Sequence, residues 1–122
     1  MEEKRQSTRI ETNRPVRIIG GNKEVKGRLV SLSLRGAAVE SPLPARKGTR
    51  LRLVFDLPAK DRFAQLDLWA EVQHAAQHAD KHLLGVHFTD LKPSDEEAIQ
   101  GFIDYVNRLK SMSVRNRNTS AL

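Results

Sequence analysis

A mainly β fold closed by a carboxy-terminal helix is what this chain predicts, and three features predict it. Short apolar stretches of period two recur between residues 15 and 88, turn residues separate them, and the one helix-period pattern comes last. Strands this short and this closely spaced, with no helix-length pattern between them, make a barrel or sandwich rather than a fold of alternating strands and helices. At 122 residues the chain is one domain, long enough to bury roughly two-thirds of its unfolded surface.

Residues 1–13 are polar without periodicity and read as a flexible arm that carries Arg5 and Arg9. From Pro15 the pattern changes. Val16 to Ile19 and Val25 to Leu32 are β-type stretches separated by Gly20-Gly21-Asn22, residues that tolerate positive φ, so the two stretches form a hairpin. Gly36-Ala37-Ala38-Val39-Glu40 is a third strand, ended by Pro42 and Pro44, and Leu51, Leu53 and Phe55 mark a fourth with one apolar face. In the fifth, Leu66, Leu68, Ala70 and Val72 alternate with Asp67, Trp69, Glu71 and Gln73; Leu84, Val86 and Phe88 mark the sixth, with Asp80 at the hairpin tip between them. Trp69 lies on the face opposite Leu68 and Ala70, where it serves either the helix or a partner surface.

Ser94-Asp95-Glu96-Glu97 after Pro93 reads as a capping box, and Ile99, Phe102, Ile103, Val106 and Leu109 recur at helical spacing, a stripe that must cover the β surface. Gly101 costs this helix about 1 kcal/mol relative to alanine, so it reads as a point of close packing. The domain proper spans 14–110, and 111–122 reads as a basic polar tail, solvated and disordered.

Composition narrows the function. There is no cysteine, which removes disulfides, thiolate metal sites and cysteine nucleophiles and fits a reducing cytoplasm. The charged start Met1-Glu2-Glu3-Lys4-Arg5 leads into no apolar run and no stretch could span a bilayer, so a cytoplasmic protein without membrane insertion is expected. The net charge of +6 favours anionic partners: nucleotides, nucleic acid or acidic protein surfaces. Much of that excess follows Asp104, where Arg108, Lys110, Arg115 and Arg117 meet no acid. The carboxylates are scattered or capping, and neither a nucleophile elbow nor a Walker loop is present, so no enzyme and no cofactor is expected. His74, His78 and His82 fall four apart, a metal spacing on a helix, but they lie on period-two chain around a hairpin tip, where that spacing does not converge ligands.

Two motifs remain. Arg5 and Arg9 place two permanently charged forks in the amino-terminal arm, a group suited to phosphates and to the acceptor edge of guanine. An arginine pair alone is more often a solvated arm. Ser31-Leu32-Ser33-Leu34-Arg35-Gly36 adds hydroxyls and a glycine at a strand end, where backbone can approach a ligand, although serine and glycine are also common in turns. Leu32 and Leu34 are expected to face inward. Together the motifs outline an anionic, purine-bearing ligand.

In order, spacing and flanks these motifs resemble the PilZ family, whose pattern is RxxxR, a strand, then (Asp/Asn)-x-Ser-x-x-Gly. Arg5 and Arg9 fill the arginine positions, and Ser33 and Gly36 fill the serine and glycine positions. Ser31 stands where the family has aspartate or asparagine, and its shorter oxygen is expected to hold the arginines less well. Leu84-Gly85-Val86-His87-Phe88 is similar to the family's apolar-Gly-apolar-x-Phe strand. The resemblance implies a six-stranded antiparallel β-barrel with a C-terminal α-helix, a bacterial receptor for the second messenger cyclic di-GMP (c-di-GMP) that passes its level to an effector protein. It implies Arg5, Arg9, Ser31, Ser33 and Gly36 as ligand contacts, with Lys4 and His74 as secondary candidates, His74 because the family often places a guanine-stacking ring near that point. Arg14, just before the first strand, reads as surface.

Two other functions compete. A PilZ domain acting only as a protein-interaction module would not need both arginines, Ser33 and Gly36. A small basic barrel that binds single-stranded nucleic acid fits the charge and strand count, but such barrels rely on stacking platforms, and aromatic residues make up 5% of this chain.

Overall fold

The computed structural model describes residues 8–58 and 63–121. Six antiparallel strands, β1 (Arg9–Gly20), β2 (Lys23–Ser33), β3 (Gly36–Ser41), β4 (Arg50–Pro58), β5 (Phe63–His78) and β6 (Lys81–Thr89), precede one helix, α1 (Pro93–Ala121). The strands close into a barrel in the order β1-β2-β3-β6-β5-β4. Leu29, Leu32, Val39, Leu53, Leu66, Val72 and Leu84 fill it and are lost to solvent. The two hairpins turn tightly, Gly20 pairing with Lys23 and His78 with Lys81, as the turn residues require. Gly21 and Ala79 both take positive φ there.

The elements stand where the alternation puts them, and their ends do not. β1 begins at Arg9, within the segment read as an arm, because Arg9, Ile10 and Glu11 pair with Ser33, Leu32 and Ser31. Only Ile10 of these points into the core, and Thr12 and Arg14, the next residues of its phase, are polar, so no run of apolar alternation reaches the sequence there.

The helix starts two residues earlier than a Ser94 cap would place it. Pro93 takes the first helical position and Asp95 reaches back to accept from the Lys92 N–H at 3.1 Å, making Lys92 the cap. α1 packs on β1, β2 and β4 through Ile99, Phe102 and Ile103, each at most 5% exposed. Burial of such side chains stabilises by about 1.5–3 kcal/mol apiece. Leu109, counted in the apolar stripe, is exposed. Gly101 is not a point of close packing: a Cβ there would meet nothing within 4 Å. The helix continues through 111–121, read from sequence as a tail, since neither glycine nor proline follows Gly101 to break it.

Candidate ligand-binding face

Ladder irregularities help decide which side chains face outward. The register shifts between Glu11 and Arg14 on β1, between Leu29 and Ser31 on β2, and between Val72 and His74 on β5. On β2 and β5 the extra residue reverses the in-out phase of the residues after it, whereas on β1 buried Ile10, Val16 and Ile18 keep one phase across the shift. Leu29 and Leu32 are therefore both buried although three apart, and Ser31 takes the outer phase beside exposed Glu11 while remaining only 8% exposed itself. In the same way Val72 is buried while His74, which strict alternation would turn inward, is exposed.

Arg9 pairs with Ser33 across the β1–β2 ladder, and its Nη1 donates to Ser31 Oγ at 2.8 Å. The Ser31 hydroxyl thus reaches one arginine, Arg9. Ser33 Oγ accepts from the Gly36 N–H and donates to the Gly36 carbonyl, both at 3.2 Å, and so clasps the turn from β2 to β3. Leu32 is buried and Leu34 partly so, as expected. Gly36 lies so close to β6 that a Cβ would run into the Val86 carbonyl oxygen. Its lack of a side chain is thus required by strand packing.

The register carries this face around the barrel. Ser31 stands beside Ala38, Ala38 beside Gly85, and Gly85 beside His74. The His74 ring occupies room that Gly85 leaves, its Cδ2 lying 3.4 Å from where a Cβ would be. Neighbouring strands are about 4.8 Å apart, so Ser31 and His74 bound a floor roughly 14 Å across. A hydroxyl, a methyl and a glycine floor it. Ala38 and Gly85 escaped the sequence reading as site residues, although the Gly36-Ala37-Ala38 run and the apolar-Gly-apolar strand carried the signal.

Charge differs around the barrel. Arg17 pairs with Glu24 at 3.1 Å, Arg50 with Asp90 at 2.9 Å, and Arg52 grips both oxygens of Asp67 at 2.9 and 2.6 Å. The Arg52 hydrogen bond holds the Asp67 carboxyl below the usual carboxylate range against a small opposing effect of burial, and raises the Arg52 guanidinium. Arg50 also stacks on Trp69, its guanidinium carbon 4.6 Å from the ring centroid, and Trp69 remains 41% exposed rather than covered by α1. Among the described residues Arg9 pairs with no carboxylate.

Arg14 is not simply surface. It lies 6.0 Å from the ring centroids of Phe63 and of Phe102 and donates from Nε to the Asp56 carbonyl at 3.0 Å, tying β1 to β4 and α1. Lys4 and Arg5 lie outside the described residues. Among those described, no cluster of His, Asp or Glu is placed to hold a metal ion, and no helix is long and apolar enough to cross a membrane.

The sequence model of the PilZ domain matches residues 3–105. Three solved structures share the fold. The Bacillus subtilis inhibitor of motility MotI/DgrA is 21% identical with a TM-score of 0.73, over 87% of this chain and 51% of that one. The PilZ domain of Escherichia coli YcgR, determined with c-di-GMP, is 15% identical with a TM-score of 0.71, over 90% of this chain and 96% of that one. The PilZ domain of CeSA from a cellulose-synthesizing bacterium is 25% identical with a TM-score of 0.59, over 85% and 99%. This chain therefore spans about half the length of the Bacillus protein. No curated protein matches it.

Proposed function

Because the chain belongs to the PilZ domain family, we propose that it is a receptor for c-di-GMP, an adaptor without catalysis that reports the messenger to an effector protein. The observation that carries this reading is the Arg9–Ser31 hydrogen bond at the edge of the small-residue floor. A neutral hydroxyl orients the guanidinium without cancelling its charge, leaving its other N–H groups to donate to a phosphate or to guanine O6 and N7. Ala38 leaves room for a flat purine, and the His74 imidazole, seated over Gly85, offers it a ring at the far edge. Arg5 supplies the second guanidinium, assisted by Lys4, and contacts made by the amino-terminal segment on the ligand alter the surface presented to the effector. Exposed Trp69 under Arg50 is the kind of anchor such an effector would engage.

The test is calorimetric titration of c-di-GMP into the wild type, Arg5→Ala and Arg9→Ala. Each charge-assisted hydrogen bond lost costs about 1.5–3 kcal/mol, so each variant is expected to bind at least about tenfold more weakly with an unchanged circular dichroism spectrum. Wild-type affinity in either folded variant would remove that arginine from the site, and no heat with the wild type would refute the reading.

A further inference from the structure

The barrel end away from the Ser33–Gly36 turn holds a cavity separate from the face that runs from Arg9 to His74. It opens between the β1–β2 hairpin and residues 42–49, the connection from β3 to β4, with a volume of about 420 Å³. Small-molecule sites span roughly 300–1,000 Å³ and favour the mouths of β-barrels. Buried Ile18, Leu51 and Leu84 form its floor, and Val25, Leu43 and Pro44 its wall.

The connection over this mouth is pinned. Ser41 Oγ accepts from the Leu43 N–H at 3.1 Å and donates to the Leu43 carbonyl at 2.7 Å. At the other end the Gly48 N–H donates to the Val72 carbonyl at 2.7 Å, and the Thr49 carbonyl accepts from the Val72 N–H at 2.9 Å. The opening is therefore part of the hydrogen-bonded frame. The charged residues that line it are Lys23 and Arg46, both exposed, and among the described residues no carboxylate does so.

An apolar floor under a wholly cationic rim selects one class of occupant. A neutral hydrocarbon would gain nothing from the two hydrated cations, and a polyanion would gain nothing from Ile18, Leu51 and Leu84. We propose that this mouth binds a compact amphipathic carboxylate, with its hydrocarbon part on the apolar floor and its carboxylate between Lys23 and Arg46. Strand β3 runs from Ser41 at this cavity to Gly36 at the opposite rim, so an occupant here is a second input on the same barrel.

Methyl NMR of the full chain titrated with sodium octanoate and, in parallel, with octan-1-ol tests it. Saturable shifts are expected at Ile18, Val25, Leu51 and Leu84, with octanoate binding about fivefold or more tighter than the alcohol. The exposed double substitution Lys23→Gln/Arg46→Gln should remove that preference while leaving the alcohol's affinity unchanged. Non-saturating shifts, shifts confined to other residues, equal affinities of the two probes, or a preference that survives the double substitution would each overturn the proposal.

Discussion

Arg9 and Arg52 are held by hydrogen bonds of similar length near opposite ends of the neighbouring strands β1 and β4, and their partners differ in charge. Arg52 meets Asp67 through two bonds of 2.9 and 2.6 Å, whereas Arg9 meets the neutral Ser31 hydroxyl at 2.8 Å. Both side chains are aimed. A carboxylate also cancels the charge it holds, while a hydroxyl leaves it available to an anion. The same contrast holds for Arg50 and Arg17 against Asp90 and Glu24. Arg14, at the Asp56 carbonyl, and Arg28, at Asn13, also have neutral partners, so what sets Arg9 apart is a neutral partner beside the small-residue floor of Ala38 and Gly85.

The sharpest way to break this comparison is to remove one arginine from each face. Arg9→Ala is expected to weaken c-di-GMP binding about tenfold to a hundredfold, whereas Arg52→Ala should leave it within about twofold, read by calorimetry at one salt concentration. Equal losses would erase the distinction. Gly36→Val forces β3 away from the Val86 carbonyl and should cost about 1–3 kcal/mol in urea unfolding; an unchanged midpoint would mean the approach is not tight. Ser31→Ala frees the Arg9 guanidinium, and loss of one such bond, about 1 kcal/mol, should lower c-di-GMP affinity about fivefold with the fold intact.

Two smaller effects sharpen the picture away from the site. Gly101→Ala adds a methyl in open space and should stabilise the protein by about 1 kcal/mol in thermal melts without altering ligand affinity. Asp67→Asn tests the cancelled pair through pH. Because the Arg52 hydrogen bond lowers the folded-state pKa of Asp67, its contribution is present above the unfolded value of about 3.9 and is lost as pH falls further. The wild-type advantage over the variant should therefore be small at pH 6 and shrink as pH falls below about 3.9. An advantage that persists in acid would place the effect elsewhere.

Six strands, their turns and the final helix were legible because alternation, the Gly20-Gly21-Asn22 turn and the 3.6 period are local signals. Boundaries were less so. The start of β1 is hidden by polar residues, and the helix cap at Lys92 shows only in the reach of Asp95. At the site, the pattern of arginine, serine and glycine named four residues that the structure gathers at one rim: Arg9, Ser31, Ser33 and Gly36. It did not show which way they face. Strict alternation would turn His74 toward the core with Val72, and an extra residue in the β5–β6 ladder, invisible to a period-two reading, turns it outward, whereas Ser31 has the outer phase that inward Leu32 implies and is nevertheless covered. The sequence also did not separate ligand chemistry from packing: Gly36 is required by β6, and Ser33 by the turn it clasps. The pairing of Arg52 with Asp67 depends on the β4–β5 register, which puts Arg52 opposite Trp69 and Val54 opposite Asp67.

The central claim is that the ligand lies on the small-residue floor beside Arg9, whose guanidinium is oriented by the neutral Ser31 hydroxyl. Amide chemical-shift mapping during a titration with c-di-GMP tests it most directly. The account predicts that the large perturbations fall on Arg9, Ser31, Ala38, Gly85 and His74, while Arg52, Asp67 and Trp69 stay where they were. Perturbations centred on Arg52, Asp67 and Trp69, with the Arg9 to His74 row unmoved, would contradict it.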